Sequence, residues 1–497
     1  MRRPAWLPAR VTPDPDVPVD GDTVNALMAR LDAAAQTRLG RSLALRHIDA
    51  GSCGGCEREM RALSGPLYQL ERFGLRFVES PRHADVLVVT GPMTGVKSAS
   101  LIFSYDVGSR YEPEPIAGVA HFLEHMLFKG TEKRPDPMQI SEAIEGVGGV
   151  LNAATGREGT SYWCKVPSTH YAMSYEVLAD IIRNSVIDAA ELDKERSVII
   201  EEIRSIQDSP EELVHEVIDE VVWGDHPVGR NIAGSEETVA AIDREAMAGF
   251  WKRNYGPDRL VVASGGDLTH AEAVELTERH FGDLEKPESP DPWERATDTQ
   301  DAPRVHLIER ETEQAHLCLS WPALPYSTER RYVQGTIEAI LSSGMSSRLF
   351  QEIREKRALV YSVYGYFRPY ADVGQGVIYA GTDLDRVEET IAATIEELRK
   401  LRDVPVPEDE LRRTKELRKG RLLMGLEDSR SVASWLGSQE ITYGEIKTPE
   451  QVMEKIEAVT VEQVQELARE MLSPEKMSLA IVGPYTDNAK FEKLLQF

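Results

Sequence analysis

Cysteine is scarce in this chain, with four in 497 residues. So few cannot frame a protein of this size with disulfides, which suits a reducing compartment and sets a cytoplasmic location as the expectation. No run approaches the roughly 18 apolar residues a membrane-spanning helix needs, so no membrane insertion is expected. Two arginines near the start are followed by a Pro/Asp-rich tract rather than an apolar segment, so no secretory leader is expected. Positive charge is also in short supply: 57 Lys+Arg stand against 83 Asp+Glu, for a net charge of −26 and a pI near 5.0. Nucleic acid and anionic membrane attract the opposite sign, so neither is an expected partner, whereas a basic substrate would be favoured.

One absence is local. Residues 1–92 contain 12 Arg and 11 Asp+Glu but no lysine; the first is Lys97. The remaining 45 basic and 72 acidic residues leave residues 93–497 at −27. A break in usage this sharp points to two segments of different origin, a fusion. Residues 1–20 are Pro-rich and read as disordered. Residues 21–92 read as a short α/β segment, with a helical pattern over 22–38 and strand-like runs at Leu43–Ile48, Phe73–Val78 and Asp85–Thr90.

From residue 93 onward long helical patterns alternate with β-rich runs, which makes the class α+β. The pattern falls into two related halves. Each closes on a Pro-led strand ending in Gly and a short amphipathic helix, once from Pro257 to Phe281 and again from Pro474 to Phe497. Residues 93–285 and 304–497 are therefore read as half-domains. The Pro, Asp, Glu and Thr of 286–303 read as an exposed linker.

The feature richest in chemistry is His121-Phe-Leu-Glu124-His125. At helical spacing His121, Glu124 and His125 share one face, and Val119, Ala120, Leu123 and Leu127 share the other. Two histidines at i and i+4 can grip one zinc ion through neutral imidazoles, and the glutamate between them can take a proton from water. A catalytic zinc needs a third protein ligand. Downstream, Glu195 and Glu202 are two helical turns apart and share a face, while Glu201 points elsewhere. Taken alone, such acids are more often a solvated helix face than a ligand set.

These residues carry a resemblance. The runs Val107-Gly-Ser-Arg-Tyr-Glu and Gly118-Val-Ala-His-Phe-Leu-Glu-His-Met-Leu-Phe-Lys-Gly-Thr131 resemble the M16 metallopeptidases, the inverzincins, over about residues 93–497. The resemblance implies Glu202 as third ligand, since 76 residues separate it from His125 as in that family. It implies Glu195 as an acid acting behind the ligands, and places Asn152, Ala153, Thr155, Glu158 and Tyr162 on a strand beside the site. In the second half, which has no HxxEH, it implies that Arg354 and Tyr361 reach the substrate backbone and the reacting carbonyl. Two positions depart from the family pattern, Ser342-Ser-Gly-Met and Ala358. The fold implied is a clamshell of two half-domains, each a β-sheet packed by helices. The function implied is a zinc metalloendopeptidase with one Zn2+ per chain, cutting unfolded or short peptides as a homodimer.

Residues 41–92 resemble something else, the iron–sulfur small subunit of complex I and group 4 nickel–iron hydrogenases. The resemblance rests on Cys53-Gly-Gly-Cys56 and on Ser80-Pro-Arg-His-Ala-Asp-Val-Leu-Val-Val-Thr-Gly-Pro92. It implies Cys53 and Cys56 as two ligands of a [4Fe–4S] cluster. A cubane needs four, and the match stops before the other two, so a cluster is not expected and the cysteines read as vestigial. Two alternatives to the peptidase are an electron-transfer subunit and a non-catalytic assembly protein on a peptidase scaffold. The segment at 85–92 also lies where the peptidase family has its first strand, and is expected to supply it.

Overall fold

The computed structural model describes residues 87–287 and 290–496, together with three short strands before them. Two of those, β1 (Leu43–Leu45) and β3 (Leu75–Phe77), pair in parallel with each other. Cys53, Cys56 and the helical pattern over 22–38 lie outside the described residues. The rest of the description concerns the larger body, from Val86 onward with β2 (His47–Asp49).

Its first half contains β4 (Leu87–Pro92), β5 (Ser98–Tyr105), α1 (Val119–Leu127), α2 (Pro137–Glu145), β6 (Val150–Thr155), β7 (Thr160–Pro167), α3 (Tyr171–Asn184), α4 (Ala189–Asp208), α5 (Pro210–Trp223), α6 (Glu236–Ala241), α7 (Arg244–Asn254), β8 (Leu260–Gly266) and α8 (His270–Phe281). The second half contains β9 (Arg304–Glu309), β10 (Gln314–Ala323), α9 (Arg331–Ser342), a π-helical turn at Phe350–Lys356, β11 (Val360–Pro369), β12 (Gly374–Asp383), α10 (Val387–Asp403), α11 (Glu408–Gly425), α12 (Ser429–Tyr443), α13 (Pro449–Glu457), α14 (Val461–Met471) and β13 (Ser478–Gly483). No helix among the described residues is long and apolar enough to cross a membrane.

The two sheets share one topology. The first runs β2-β4-β8-β5-β7-β6 and the second, read from its other end, β9-β13-β10-β12-β11. In each, the half's opening strand pairs in parallel with its closing one: Leu87–Pro92 with Val261–Gly266, and Arg304–Glu309 with Ser478–Gly483. All other pairings among β5–β8 and among β10–β13 are antiparallel. The short strand β2 adds to the first sheet beyond β4. Residues 87–92 thus stand in the first sheet where β9 stands in the second.

Each sheet is covered on one face by its own helices. The first packs Leu101, Phe103 and Val262 against Phe122, Tyr175 and Phe281, and the second packs Leu317, Ile378 and Ile481 against Ile337, Ile391 and Val464. The opposite face of each is covered by a helix from the other half. Val214, Val217 and Ile218 of α5 pack on Cys318, Val377, Tyr379 and Val482 of the second sheet. Ala433 and Leu436 of α12 pack on Val89, Ile102, Val261 and Ala263 of the first. Ser429 opens α12 with its hydroxyl 3.0 Å from Ser98 Oγ and 2.9 Å from Ser100 Oγ. Gly265 permits that approach, because a Cβ there would lie 2.4 Å from Ser429 O.

Most described residues of the connection between the halves are exposed, and a few anchor it. It is irregular but seated. Asp291 accepts bonds from Arg253 Nε at 3.0 Å and Asn254 Nδ2 at 2.8 Å. Gln300 is buried and donates to Met477 O at 2.9 Å. Asp291 and Gln300 thus satisfy buried partners, whereas Glu294, Arg295, Thr297, Asp298 and Thr299 are exposed.

The sheet arrangement generates a prediction. Removing residues 1–80 spares β4 and leaves a strand at the sheet edge, as β9 is. Removing 1–96 also strips Val89 from its contact with Val261 and Leu436 and opens β8 as an unpaired edge. Thermal melting and light scattering should show the first truncation folded and monodisperse, and the second melting lower or aggregating. Equal behaviour of the two would mean that β4 contributes nothing to the sheet.

Candidate metal centre

The short helix α1 exists because of its apolar face. Nine residues are too few for a stable isolated helix. Val119, Ala120, Phe122, Leu123, Met126 and Leu127 are all buried, and each large side chain contributes about 1.5–3 kcal/mol on burial. That burial leaves His121, Glu124 and His125 on the remaining face. The long helix α4, capped by Asp188 accepting from Ala190 N and Glu191 N, lies against α1 through Leu192, Ile199 and Ile203. This brings its acidic stripe beside the histidines.

His121 Nε2 and His125 Nε2 lie 3.2 Å apart. Glu202 Oε2 is 3.9 Å from the first and 4.0 Å from the second. All three ligand atoms fall within 4.8 Å of one another, the one such His/Cys/Asp/Glu group among the described residues. The two Nε2 atoms are close enough to share one proton or one metal ion, and two histidines with one carboxylate suit zinc. The residues present therefore fit the ion. Glu201 is turned away, 71% exposed, and pairs with Arg204 at 2.8 Å.

The surroundings prepare these groups. His125 Nδ1 is 2.8 Å from Glu195 Oε1, which fixes the ring with its Nε2 toward the cluster. Burial disfavours the His125 cation, but the bond to Glu195 and the charges of Glu202, Glu195 and Glu124 together hold its pKa above the ordinary value. His121 goes the other way: burial, then the neighbouring His125, push it down to about 4 and keep it neutral. Glu195 is itself buried, which raises its pKa, but bonds from His125 and Lys129 bring it below the usual range. Lys129 Nζ sits 2.5 Å from Glu195 Oε2. Glu124 is pushed upward, chiefly by burial, and its Oε2 accepts a hydrogen bond from Thr155 Oγ1 at the end of β6.

Strand β6 forms the free edge of the first sheet, with alternate residues exposed. Asn152 and Ala153 lie on it, and Asn152 Oδ1 accepts the Ala153 N–H at 2.8 Å. Glu158 and Tyr162 lie near this edge but serve structure. Glu158 pairs with Arg110, and Tyr162 is buried with its hydroxyl 2.9 Å from that of Tyr255.

Arg354 and Tyr361 are together. The Arg354 guanidinium lies 5.1 Å from the centre of the Tyr361 ring. Arg354 rides on the π-helical turn, and Tyr361 stands at a bulge where β11 shifts register against β12. The bulge turns Tyr361 out until it is 79% exposed. Among the described residues no hydrogen bond or ion pair joins this pair to His121, His125 or Glu202. Lys129 and Arg110 were not singled out by the sequence reading. Each sits inside a quoted motif, but a lone Lys or Arg there reads as surface charge.

Comparison with known proteins decides the family. A model described as Insulinase (Peptidase family M16) matches residues 87–236, and one described as Peptidase M16 inactive domain matches residues 241–418. An uncharacterized zinc protease of Streptomyces coelicolor is 36% identical over 405 residues, covering 80% of this chain and 88% of that one. The uncharacterized zinc protease YmxG of Bacillus subtilis is 35% identical, covering 78% and 94%. The chain belongs to peptidase family M16. A protease from Helicobacter pylori has the same fold, with a TM-score of 0.75 at 22% identity over 80% of this chain and 97% of that one. The M16 inactive-domain structure from Pseudomonas fluorescens has it too, with a TM-score of 0.74 at 20% identity over 82% and 98%.

The ligand set carries its own prediction. His125→Ala and Glu202→Gln should each lose zinc, measured by metal analysis after dialysis, because each removes one of three donors. Glu201→Gln should keep it. Zinc lost in Glu201→Gln and retained in Glu202→Gln would exchange the two assignments.

Proposed function

We propose that this M16 chain is a zinc-dependent endopeptidase acting on unfolded or short peptides. The carrying observation is the convergence of His121 Nε2, His125 Nε2 and Glu202 Oε2, with Glu124 on the same helix face. One zinc held by these three residues would lower the pKa of water toward neutral and polarise a peptide carbonyl. Glu124 is the general base: burial has raised its carboxyl pKa, which matches it better to water, and Thr155 fixes its orientation. The same carboxyl returns the proton to the leaving amine. Glu195, locked by Lys129, holds the His125 ring in place.

Substrate binding follows from the free edge of β6. An extended peptide can add to it as a further strand through main-chain hydrogen bonds, which reads length and extension rather than sequence. Folded proteins lack such a free segment, which leaves unfolded or short chains as substrates. Cys164 and Cys318 are buried free thiols in different sheets, so the described residues offer no cluster site in support of electron transfer.

Arg354 and Tyr361 complete the proposal as the pair that binds the substrate backbone and stabilises the oxyanion. The exposure of Tyr361, and the lack among the described residues of any hydrogen bond or ion pair from this pair to the triplet, favour a homodimer in which one copy's pair serves the other copy's metal site.

Two outcomes are expected. Glu124→Gln should keep zinc and lower cleavage of a quenched peptide at least about 100-fold, because a general base is typically worth 10²–10⁴ in rate. Turnover equal to the parent's would remove the assigned base. A zinc-loaded parent that cuts none of a random peptide library would point to the non-catalytic reading. For the dimer, His121→Ala and Arg354→Ala should each be inactive alone and recover cleavage when co-expressed. No recovery in a mixed dimer shown to form would place the pair on its own chain's site.

A further inference from the structure

Glu112 has no part in the chemistry above, and its surroundings are unusual for a carboxylate. It is buried, and neither oxygen meets a cationic side chain within ion-pair distance among the described residues. Instead Oε2 accepts the N–H of Gly118 and Oε1 the N–H of Ala120, both at 2.7 Å. These are amides at the free N-terminus of α1. The first intrahelical bond runs from Phe122 N to Gly118 O, so the amides before it have no partner within the helix.

A helix normally meets this need with Ser, Thr, Asp or Asn at its N-cap. Here the position is Gly118, held at φ 96°. A Cβ on Gly118 would lie 2.4 Å from Ala233 O, so no side chain fits there. The cap must come from elsewhere in the chain, and Glu112 supplies it through its two carboxyl oxygens; burial pushes its pKa up to about 8, although the two amide bonds and Arg230 act to lower it. Arg230 Nη1 donates to Glu112 O at 3.2 Å and so pins the backbone that carries this carboxylate.

Ala120 directly precedes His121, and Glu124 and His125 follow one turn later on the same short helix. Fraying of the first turn would carry His121 Nε2 out of its 3.2 Å approach to His125. We propose that Glu112 is a positioning residue of the metal centre: its carboxylate clamps the first turn of α1 through the Gly118 and Ala120 amides and so sets the place of His121. The inference rests on the reading of His121, His125 and Glu202 as zinc ligands.

The test uses Glu112→Gln and Glu112→Asp in the full chain. Zinc affinity is measured by competition with a chromophoric chelator, alongside melting of the metal-free protein and separate kcat and KM values. Gln keeps the shape but presents an NH2 to one of the two amides; Asp keeps the carboxyl but is one methylene too short to reach both. Each variant should bind zinc at least about 10-fold more weakly than the parent, the scale seen when a group behind the ligands is lost. At saturating zinc, kcat should fall while KM stays within about twofold, because β6 is untouched. A merely structural cap would lower the metal-free melting temperature and leave the zinc affinity and kcat of the folded protein unchanged, and that result overturns the proposal. If Glu112→Gln does not fold, Glu112→Asp decides by the same criterion. A parent that binds no zinc would overturn the metal reading itself, whereas a zinc-binding parent with parent-like variants overturns only the role of Glu112.

Discussion

A single buried guanidinium joins the parts of this molecule. Arg110 is almost fully enclosed, and it donates to Glu158 Oε1 at 2.6 Å in the first half. It reaches the two oxygens of Asp372 at 2.8 and 2.7 Å in the second. It also donates to Glu294 O at 2.7 Å in the connection and lies 4.1 Å over the Trp293 ring. Desolvation alone would push its proton off, but the bonds to Asp372 and Glu158 hold the cation more firmly than in water. Such a pair adds little net stability when made, yet losing one partner of a buried pair costs about 3–5 kcal/mol. The consequence is geometric: the halves can sit only where both carboxylates reach one guanidinium. Two residues along the chain, Glu112 grips the helix that bears the histidines. One strap of backbone therefore touches both the seam between the halves and the candidate metal centre.

The exchanged helices reinforce that seam. Because α5 covers the second sheet and α12 the first, neither half could bury both faces of its sheet alone. Asp219 on α5 is nearly buried and bonds to Arg157 of the first half at 2.8 Å and to Arg368 of β11. His215, one turn earlier, has its Nε2 3.0 Å from Tyr364 Oη and its Nδ1 2.7 Å from Tyr366 Oη. These polar contacts at the end of an apolar interface fix register where packing alone would allow a slide. The duplicated topology and the exchange together explain why one half can carry the ligand set and the other none. The halves share a scaffold, while the candidate ligands are a few side chains on α1 and α4.

What was legible in the sequence was local or periodic. The period of α1 separates its apolar residues from His121, Glu124 and His125, and the two-turn spacing along α4 puts Glu195 and Glu202 together and Glu201 apart. The Pro-led strands ending in Gly announced the duplicated halves because a strand edge and its turn leave a composition trace. The exchange of α5 and α12 leaves none, since an amphipathic helix does not record which sheet it covers. Arg110 was opaque for the same reason: its partners are 48 and 262 residues away. Within the connection at 286–303, the seating of Asp291 and Gln300 was not legible, because polar residues that satisfy buried groups are indistinguishable, in one dimension, from polar residues in water.

The departure at Ala358 is strained. Its φ is 50°, a left-handed conformation that costs a residue with a Cβ about 1–2 kcal/mol. The turn is held there from several sides. Arg386 donates to Ala358 O at 2.6 Å and to Arg357 O at 3.2 Å, and Thr382 donates to Leu359 O at 2.7 Å. The π-helical turn bearing Arg354 ends just before it and the bulge bearing Tyr361 begins just after. Three irregularities within a dozen residues, each braced by its neighbours, would be a poor way to build an inert strand connection. Strain that the surroundings over-determine is retained where it aims side chains. Here it presents Arg354 beside an exposed Tyr361 as a pair, which suits the substrate-binding role proposed for them.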